Sequence, residues 1–227
     1  MVLTSKENRI YLDKKIDQIQ LNGKTAIVFD FDELLVPTHL TKIVTRKLSK
    51  PMDKSKIKNM NLCSFEGILY LNNLMENQDI SKYENTRDNI AKTIEWRDEF
   101  DKLIKELVKE FTVIVISSGL KDICYSKLKE INFNEKNIFG GEFLFLDNQI
   151  RGSKLIISYL DKGYIVQRLR ENCNTIISVG HSLGDKEMLN NSDISIAYKS
   201  DTAKIANHYL DNIAELRSLI NSSCNKC

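Results

Sequence analysis

Two aspartates, Asp30 and Asp32, stand at the end of the first strongly apolar run of the chain, 25–30, which is typical of a strand buried on both faces. Residues two apart on an extended chain point to the same side, and two like charges that close are costly unless a cation or a proton compensates. Their oxygens suit Mg²⁺, and carboxylates also serve as nucleophiles on phosphorus and as proton carriers. The plainer alternative is a solvated strand end.

A second polar cluster, Ser117, Ser118 and Gly119, ends the apolar run 113–117. We expect these residues to close a strand and open a helix. Free backbone N–H groups and the positive end of the dipole favour a phosphate at such a helix start, and the Ser117 hydroxyl adds a donor. An ordinary helix N-cap is the alternative.

Lys162 is predicted to begin a helix, where a cation opposes the helix dipole. This placement indicates an anionic partner, and an exposed surface lysine is the alternative. A further polar cluster, from Gly180 through His181 to Asp185, follows the apolar run 175–180.

The surrounding pattern predicts an α/β fold with a doubly wound parallel sheet. Four apolar runs, 25–30, 113–117, 175–180 and 193–197, are predicted to be buried strands. Helical spacing is found over 5–21, 94–110, 120–131, 162–171 and 213–220. Strands that alternate with helices favour a parallel sheet covered on both faces, whose ligands bind where the strands end.

The predicted domains are a core, an insert and an N-terminal extension. Residues 24–37 and 94–227 form the core, 38–93 form a small helical cap without a buried strand, and 1–23 form an added helix. The segment 142–157 is predicted to be a hairpin that turns at Asp147 and Asn148.

Composition excludes several classes of protein. Of the 227 residues 42% are hydrophobic and 28% are charged, which argues against disorder. A net charge of +2 argues against a nucleic-acid or membrane-surface binder, and no long apolar stretch predicts a membrane span. An odd number of cysteines and no visible secretory signal favour the cytoplasm. Cys224 and Cys227 form a C-x-x-C that is either half of a zinc site or a frayed terminus.

The order of the motifs resembles the haloacid dehalogenase-like superfamily. Asp30-Phe31-Asp32 after Ala-Ile-Val-Phe, Ser117 after Val-Ile-Val-Ile, Lys162, and Gly180 followed by Asp185 stand in that family's order. The long gap between the first two motifs leaves room for a helical cap, as in the phosphoserine phosphatase-like branch. The resemblance covers roughly residues 24–220.

The resemblance implies a role for each motif. Asp30 would attack phosphorus and form an aspartyl-phosphate, and Asp32 would carry the protons. The phosphate-binding residues would be Ser117, Ser118, Gly119 and Lys162. The metal site would draw on Asp30, the Phe31 carbonyl, Asp32, His181 and Asp185. The implied reaction is metal-dependent hydrolysis of a small-molecule phosphate ester.

The fourth motif departs from the family pattern, because His181 stands where an aspartate binds the metal. Histidine suits Mn²⁺ or Zn²⁺ better than Mg²⁺. Three alternatives follow: Asp185 takes over, the metal differs, or catalysis is impaired and the protein binds a phosphorylated ligand or a protein partner instead.

The cap residues also differ from those of the phosphoserine branch. A rough alignment places His39 and Tyr70 near the positions that recognise the substrate's charged groups, and Arg46, Arg87 and Arg97 are the nearby cations. Phosphoserine itself is therefore a doubtful substrate.

Overall fold

A computed structural model describes residues 3–49, 60–200 and 204–224. Its strands are β1 (Thr25–Phe29), β2 (Thr112–Leu120), β3 (Ile138–Leu146), β4 (Gln149–Leu155), β5 (Thr175–Gly180), β6 (Ile194–Tyr198) and β7 (His208–Leu210). They form one sheet in the order β4-β3-β2-β1-β5-β6-β7, in which only the β3–β4 pair is antiparallel. The predicted α/β class with a doubly wound sheet is confirmed.

The α-helices of the described segments lie before, between and after these strands. They are α1 (Ser5–Ile16), α2 (Leu40–Leu48), α3 (Phe65–Asn73), α4 (Ile80–Thr93), α5 (Phe100–Leu107), α6 (Lys121–Leu128), α7 (Tyr159–Leu169), α8 (Lys186–Asn190) and α9 (Ile213–Cys224). Short 3-10 turns span Lys129–Ile131, Glu135–Asn137 and Leu183–Asp185.

Alternating side chains of the central strand divide the core into two layers. Ile27 and Phe29 of β1 pack with Phe100 of α5 on one face, whereas Ala26 and Val28 pack on the other face. Because these residues are fully buried on both sides, the strand is a continuous apolar run. The central position of β1 places its carboxyl end in the middle of the sheet edge.

The N-terminal helix α1 packs on the second face of the core. Leu12 and Ile16 join the apolar cluster there. Asn8 is buried, its amide N–H donates to the Ile156 carbonyl at 2.9 Å, and its amide oxygen accepts from the Ile156 N–H at 2.7 Å. This pair of bonds ties α1 to the linker between β4 and the helix that carries Lys162.

Several helix boundaries differ from the predicted ones. The first helix ends at Ile16, and the helix predicted over 94–110 begins only at Phe100, because Asp98 and Glu99 take left-handed φ angles of 45° and 64°. The last helix continues to Cys224. β7 was not predicted. Cys227 lies outside the described residues, as does the side chain of Cys224, so the C-x-x-C stays a prediction.

The hairpin is confirmed, and it turns where predicted. Leu146 pairs with Gln149 across Asp147 and Asn148, whose φ angles are 51° and 58°. Positive φ at both central residues matches the right-handed twist of a two-residue hairpin. Within 38–93 the structure describes helices α2, α3 and α4, and the division into cap and core stays a prediction.

Candidate active site

Three buried charged side chains meet at the carboxyl end of β1. Asp30 directly follows this strand, and its N–H donates to the Val179 carbonyl of β5 at 3.1 Å. The Lys162 ammonium donates to Oδ1 of Asp30 and to Oδ1 of Asp185, both at 2.6 Å. The structure therefore brings together residues of the first, third and fourth motifs.

Lys162 lies in the first turn of α7 and does not begin it. The helix starts at Tyr159, since Ser158 and Asp161 form a capping box that satisfies the first N–H groups. The predicted helix start at Lys162 is thus three residues late. The earlier start turns the Lys162 side chain toward the two carboxylates, where it is almost fully buried.

Both carboxylate oxygens of Asp185 accept hydrogen bonds. While Oδ1 binds Lys162, Oδ2 accepts from the backbone N–H groups of His181 and Ser182, both at 2.9 Å. Burial by itself would raise the pKa of Asp185, but Lys162 and these two N–H groups outweigh it and lower that pKa. Asp185 is therefore a fixed anion.

The net shift of the Asp30 pKa is opposite to that of Asp185. Burial raises the pKa of this carboxyl, the nearby charge of Asp185 adds to the rise, and the charge of Lys162 opposes it. For Lys162, burial favours the neutral amine, but the two carboxylates outweigh it and raise the pKa of the ammonium group. Asp30 is consequently the member of the trio whose charge is least stabilised.

Asp32 faces the start of α2. Its Oδ1 accepts the Leu40 N–H at 2.9 Å, and its Oδ2 accepts from the Ser117 hydroxyl at 3.4 Å. His39 Nδ1 lies 3.3 Å from the same Oδ2. Burial opposes a charge on His39, but the bond to Asp32 and its charge outweigh this and raise the pKa of the imidazole.

The expected opening of a helix at Ser117, Ser118 and Gly119 is wrong. β2 runs through all three residues to Leu120, and α6 begins at Lys121. Ser117 is nevertheless buried beside Asp32, and its Oγ accepts the Gly119 N–H at 2.9 Å. The cluster is the irregular end of a strand, whose pairing with β3 shifts register between Ile116 and Leu120, rather than a helix N-terminus.

The expected metal ligands do not form one cluster. The Phe31 carbonyl accepts the N–H groups of Leu34 and Leu35 at 3.3 and 2.9 Å, which uses both of its lone pairs. His181 Nδ1 lies 3.5 Å from the Tyr198 carbonyl of β6. Among the residues that the structure describes, no three His, Cys, Asp or Glu side chains are grouped to hold a metal ion. This donor set does not fit the implied Mg²⁺ site.

Two of the three arginines named near the cap, Arg87 and Arg97, are held by other contacts, and Arg46 is exposed on α2. Arg87 binds Asp88 at 2.9 Å and Asp122 at 3.1 Å, and Arg97 donates to the Glu33 carbonyl. Arg87 joins the 38–93 segment to α6, whereas Arg97 joins two segments outside 38–93, and these contacts argue against either arginine as a free clamp for a substrate carboxylate.

The contacts of Leu40 and Thr41 with this site were not predicted from the sequence. Neither residue belongs to a motif, and both arrive at the site because α2 starts there. Their one signal in the sequence is that they follow Asp32 closely, at the expected entry to the cap.

Solved structures share this architecture. A substrate-bound phosphoserine phosphatase aligns with a TM-score of 0.70 at 19% identity, over 87% of this chain and 98% of the other. The haloacid dehalogenase-like fold is therefore established. A haloacid dehalogenase family hydrolase from Salmonella enterica serovar Typhi aligns with a TM-score of 0.65 at 18% identity, over 91% and 77% of the two chains.

A third structure with this haloacid dehalogenase-like fold is cytosolic 5'-nucleotidase IIIB bound to cytidine. It aligns with a TM-score of 0.63 at 14% identity, over 96% of this chain and 92% of the other. No protein-family model and no curated protein sequence matches the chain. Across the described residues, none of the helices is long and apolar enough to cross a bilayer.

Proposed function

We propose that the protein is a phosphomonoester hydrolase that acts on a small phosphorylated metabolite through an aspartyl-phosphate on Asp30. The observation that carries this proposal is the Lys162 ammonium, 2.6 Å from both Asp30 and Asp185. A lysine fixed beside a carboxylate at a strand end can hold phosphoryl oxygens next to the nucleophile.

In the proposed first step, an Asp30 oxygen attacks phosphorus and the bond from phosphorus to the substrate oxygen breaks. Asp32 donates its proton to that leaving oxygen. In the second step Asp32 takes a proton from water, whose oxygen attacks phosphorus and breaks the bond to Asp30. Phosphate leaves, and both aspartates return to their starting states.

Ser117, Ser118 and Gly119 would bind the phosphoryl oxygens together with Lys162. What supports this role is the burial of Ser117 and its bond to Asp32, which keep a hydroxyl donor beside the proposed proton carrier. We further propose that residues 38–93 act as the cap that selects the substrate, since α2 begins against Asp32.

The charge balance calls for a further cation when a phosphate ester binds. With Asp30 and Asp185 ionised, two carboxylates already share the single charge of Lys162, and a phosphate dianion adds to the negative charge. Mg²⁺, Mn²⁺ or Zn²⁺ is the expected cofactor, but the donor set described above does not complete a site, so no step here is routed through a metal.

A second candidate function is the binding of a phosphorylated ligand or a protein partner without turnover. The observation that favours it is His181, which replaces a carboxylate in the fourth motif and whose ring nitrogen approaches the Tyr198 carbonyl. Such a protein would keep Lys162 and Ser117 for binding and lack the charge needed to stabilise the transition state.

For the cellular location we infer the cytoplasm. Cys63, Cys124 and Cys173 are free thiols, and Cys124 is fully buried, which suits a reducing compartment.

The decisive experiment measures phosphate release from an aryl phosphate with Mg²⁺, Mn²⁺, Zn²⁺ or a chelator. We expect turnover by the wild type and its loss in Asp30→Asn. Turnover that survives Asp30→Asn contradicts the aspartyl-phosphate. Binding of inorganic phosphate without turnover under any of these conditions supports the second candidate.

A further inference from the structure

Helix α2 begins beside the candidate active site, and its N-cap residue supplies no capping hydrogen bond. His39 occupies the N-cap position, and its side chain makes no capping hydrogen bond. The Leu40 N–H, one of the free donors of the first turn, is instead satisfied by Oδ1 of Asp32 at 2.9 Å. The first turn of the cap segment is thus joined to a proposed catalytic group.

The next residue, Thr41, contacts the opposite side of the site. Its Oγ1 accepts the Leu120 N–H at 3.0 Å, although 79 residues separate the two along the chain. Leu120 ends β2 and follows directly after Ser117, Ser118 and Gly119, which we call the phosphate bend. The Thr41 hydroxyl, which belongs to the 38–93 segment, therefore binds the backbone N–H that directly follows the phosphate bend.

The space around Gly119 shows how closely these groups approach one another. A Cβ placed on Gly119 would lie 2.4 Å from Thr41 Oγ1, 2.9 Å from Asp32 Oδ2 and 3.1 Å from Ser117 Oγ. Three side-chain oxygens from three separate segments thus surround one backbone position. A small movement of α2 would change the position of Gly119, and with it the hydroxyl of Ser117, which accepts the Gly119 N–H.

We propose that Thr41 is a positioning residue that fixes the phosphate bend for substrate binding. This inference rests on the proposed function, since it assumes that Ser117 and Gly119 bind phosphate. Two hydroxyls fix the backbone of the phosphate bend. The Ser117 hydroxyl, which is part of the bend, accepts the Gly119 N–H, and the Thr41 hydroxyl of α2 accepts the Leu120 N–H. The cap thereby sets the geometry of phosphate binding as well as enclosing the substrate.

Attachment of α2 to the core does not depend on this hydroxyl. Leu40, Val44 and Leu48 bury the apolar side of the helix in the main cluster. Replacing Thr41 with valine keeps the branched shape and removes only the oxygen, so we expect the helix to stay in place. Thr45, one turn later and also half-buried, makes no side-chain hydrogen bond within the described part of the chain and provides a matched control.

The test compares wild type with Thr41→Val, Thr41→Ser and Thr45→Val. Affinity for inorganic phosphate is measured by calorimetry, and exchange of the Leu120 amide is measured by hydrogen–deuterium exchange. We expect Thr41→Val to weaken phosphate binding, with about fivefold to tenfold as the upper limit set by one lost buried hydrogen bond, and to speed exchange at Leu120. Thr41→Ser keeps the hydroxyl and should restore both values, while Thr45→Val should change neither.

Two results would overturn the inference: unchanged phosphate affinity in Thr41→Val, or an equal loss in Thr45→Val. If the wild type binds no phosphate, the proposed function fails. Unchanged exchange at Leu120 in Thr41→Val would then also refute the positioning role, and faster exchange would support Thr41 as the residue that fixes the bend.

Discussion

Lys162 and Asp30 form an ion pair that is almost closed to solvent: their side chains are 3% and 7% exposed, and Nζ lies 2.6 Å from Oδ1. Taking two charges out of water is expensive, so such a pair is weak evidence for stability. A third charge, Asp185, is fully buried on the same ammonium group. The buried cluster of Asp30, Lys162 and Asp185 is therefore better explained by the proposed binding of a phosphate group than by a contribution to folding stability.

Replacing Lys162 should reveal the energetic cost of burying the two carboxylates. In Lys162→Met, two buried carboxylates lose their common partner, and we expect a loss of about 3–5 kcal/mol in the free energy of unfolding. Urea unfolding measures it, with the exposed Lys102→Met as control. Because the loss arises from uncompensated charge, adding Asp30→Asn to Lys162→Met should recover part of it. A double variant no more stable than Lys162→Met would contradict uncompensated charge on Asp30 as a source of the loss.

Gly119 should not tolerate a side chain. In Gly119→Ala the new Cβ meets Thr41 Oγ1 at 2.4 Å, so the bend or α2 must move. We expect phosphate affinity and any turnover to fall at least about tenfold, with a loss of stability of about 1–3 kcal/mol. Gly141→Ala is the control, since its Cβ would come no closer than 3.4 Å to any atom. Equal effects of the two substitutions would refute the close approach at Gly119.

The buried strands could be predicted from the sequence because each is a short run of consecutive apolar residues. A run such as Ala26 to Phe29 is apolar at every position, which is the pattern expected of a short strand covered on both faces. Once the strands are placed, parallel topology brings Asp30 and the segment around Ser117 to one edge. This much of the candidate site follows from order along the chain.

The remaining contacts depend on tertiary packing that no local pattern contains. Thr41 reaches Leu120 only because α2 begins at Leu40, and that start is set by a carboxylate eight residues earlier. The sequence pattern places Lys162 at the start of its helix, whereas the N-cap is Ser158 and the helix begins at Tyr159. The ring of His181 approaches a carbonyl of β6, a neighbour that only the folded sheet supplies.

Stability should depend on pH through Glu142, which joins α1 to β3. Burial would raise the pKa of this carboxyl, but Lys15 and the Tyr11 hydroxyl outweigh it and lower the pKa below its usual 4.5. The folded protein therefore binds this proton less tightly than the unfolded chain does. The stabilisation is present above the usual pKa and is lost as pH falls through the lowered one.

Glu142→Gln tests this relationship. We expect the variant to be less stable than wild type by about 1 kcal/mol near neutral pH, and the difference to shrink as the pH drops below about 4.5. Urea unfolding of both proteins across that range measures it. Glu135→Gln, which removes a surface partner of Lys121, is the control. A difference that stays constant down to strongly acidic pH would contradict the assigned charge.

His181→Asp should create a stronger magnesium site. The substitution adds an oxygen ligand next to the segment that holds Asp185, and hard cations prefer carboxylate to imidazole. Without metal, the added charge repels the carboxylates of Asp30 and Asp185, so the variant should melt below the wild type. Saturating Mg²⁺ should then raise its melting temperature by about 5 °C more than that of the wild type.

The control for this substitution is His208→Asp, which adds the same charge on the exposed strand β7. It should not respond to Mg²⁺ more than the wild type does. If Mg²⁺ stabilises the wild type and His181→Asp equally, the added carboxylate contributes no ligand, and impairment by His181 is wrong. A larger response that is confined to His181→Asp would instead identify this histidine as the reason the ligand set is incomplete, independently of any measurement of turnover.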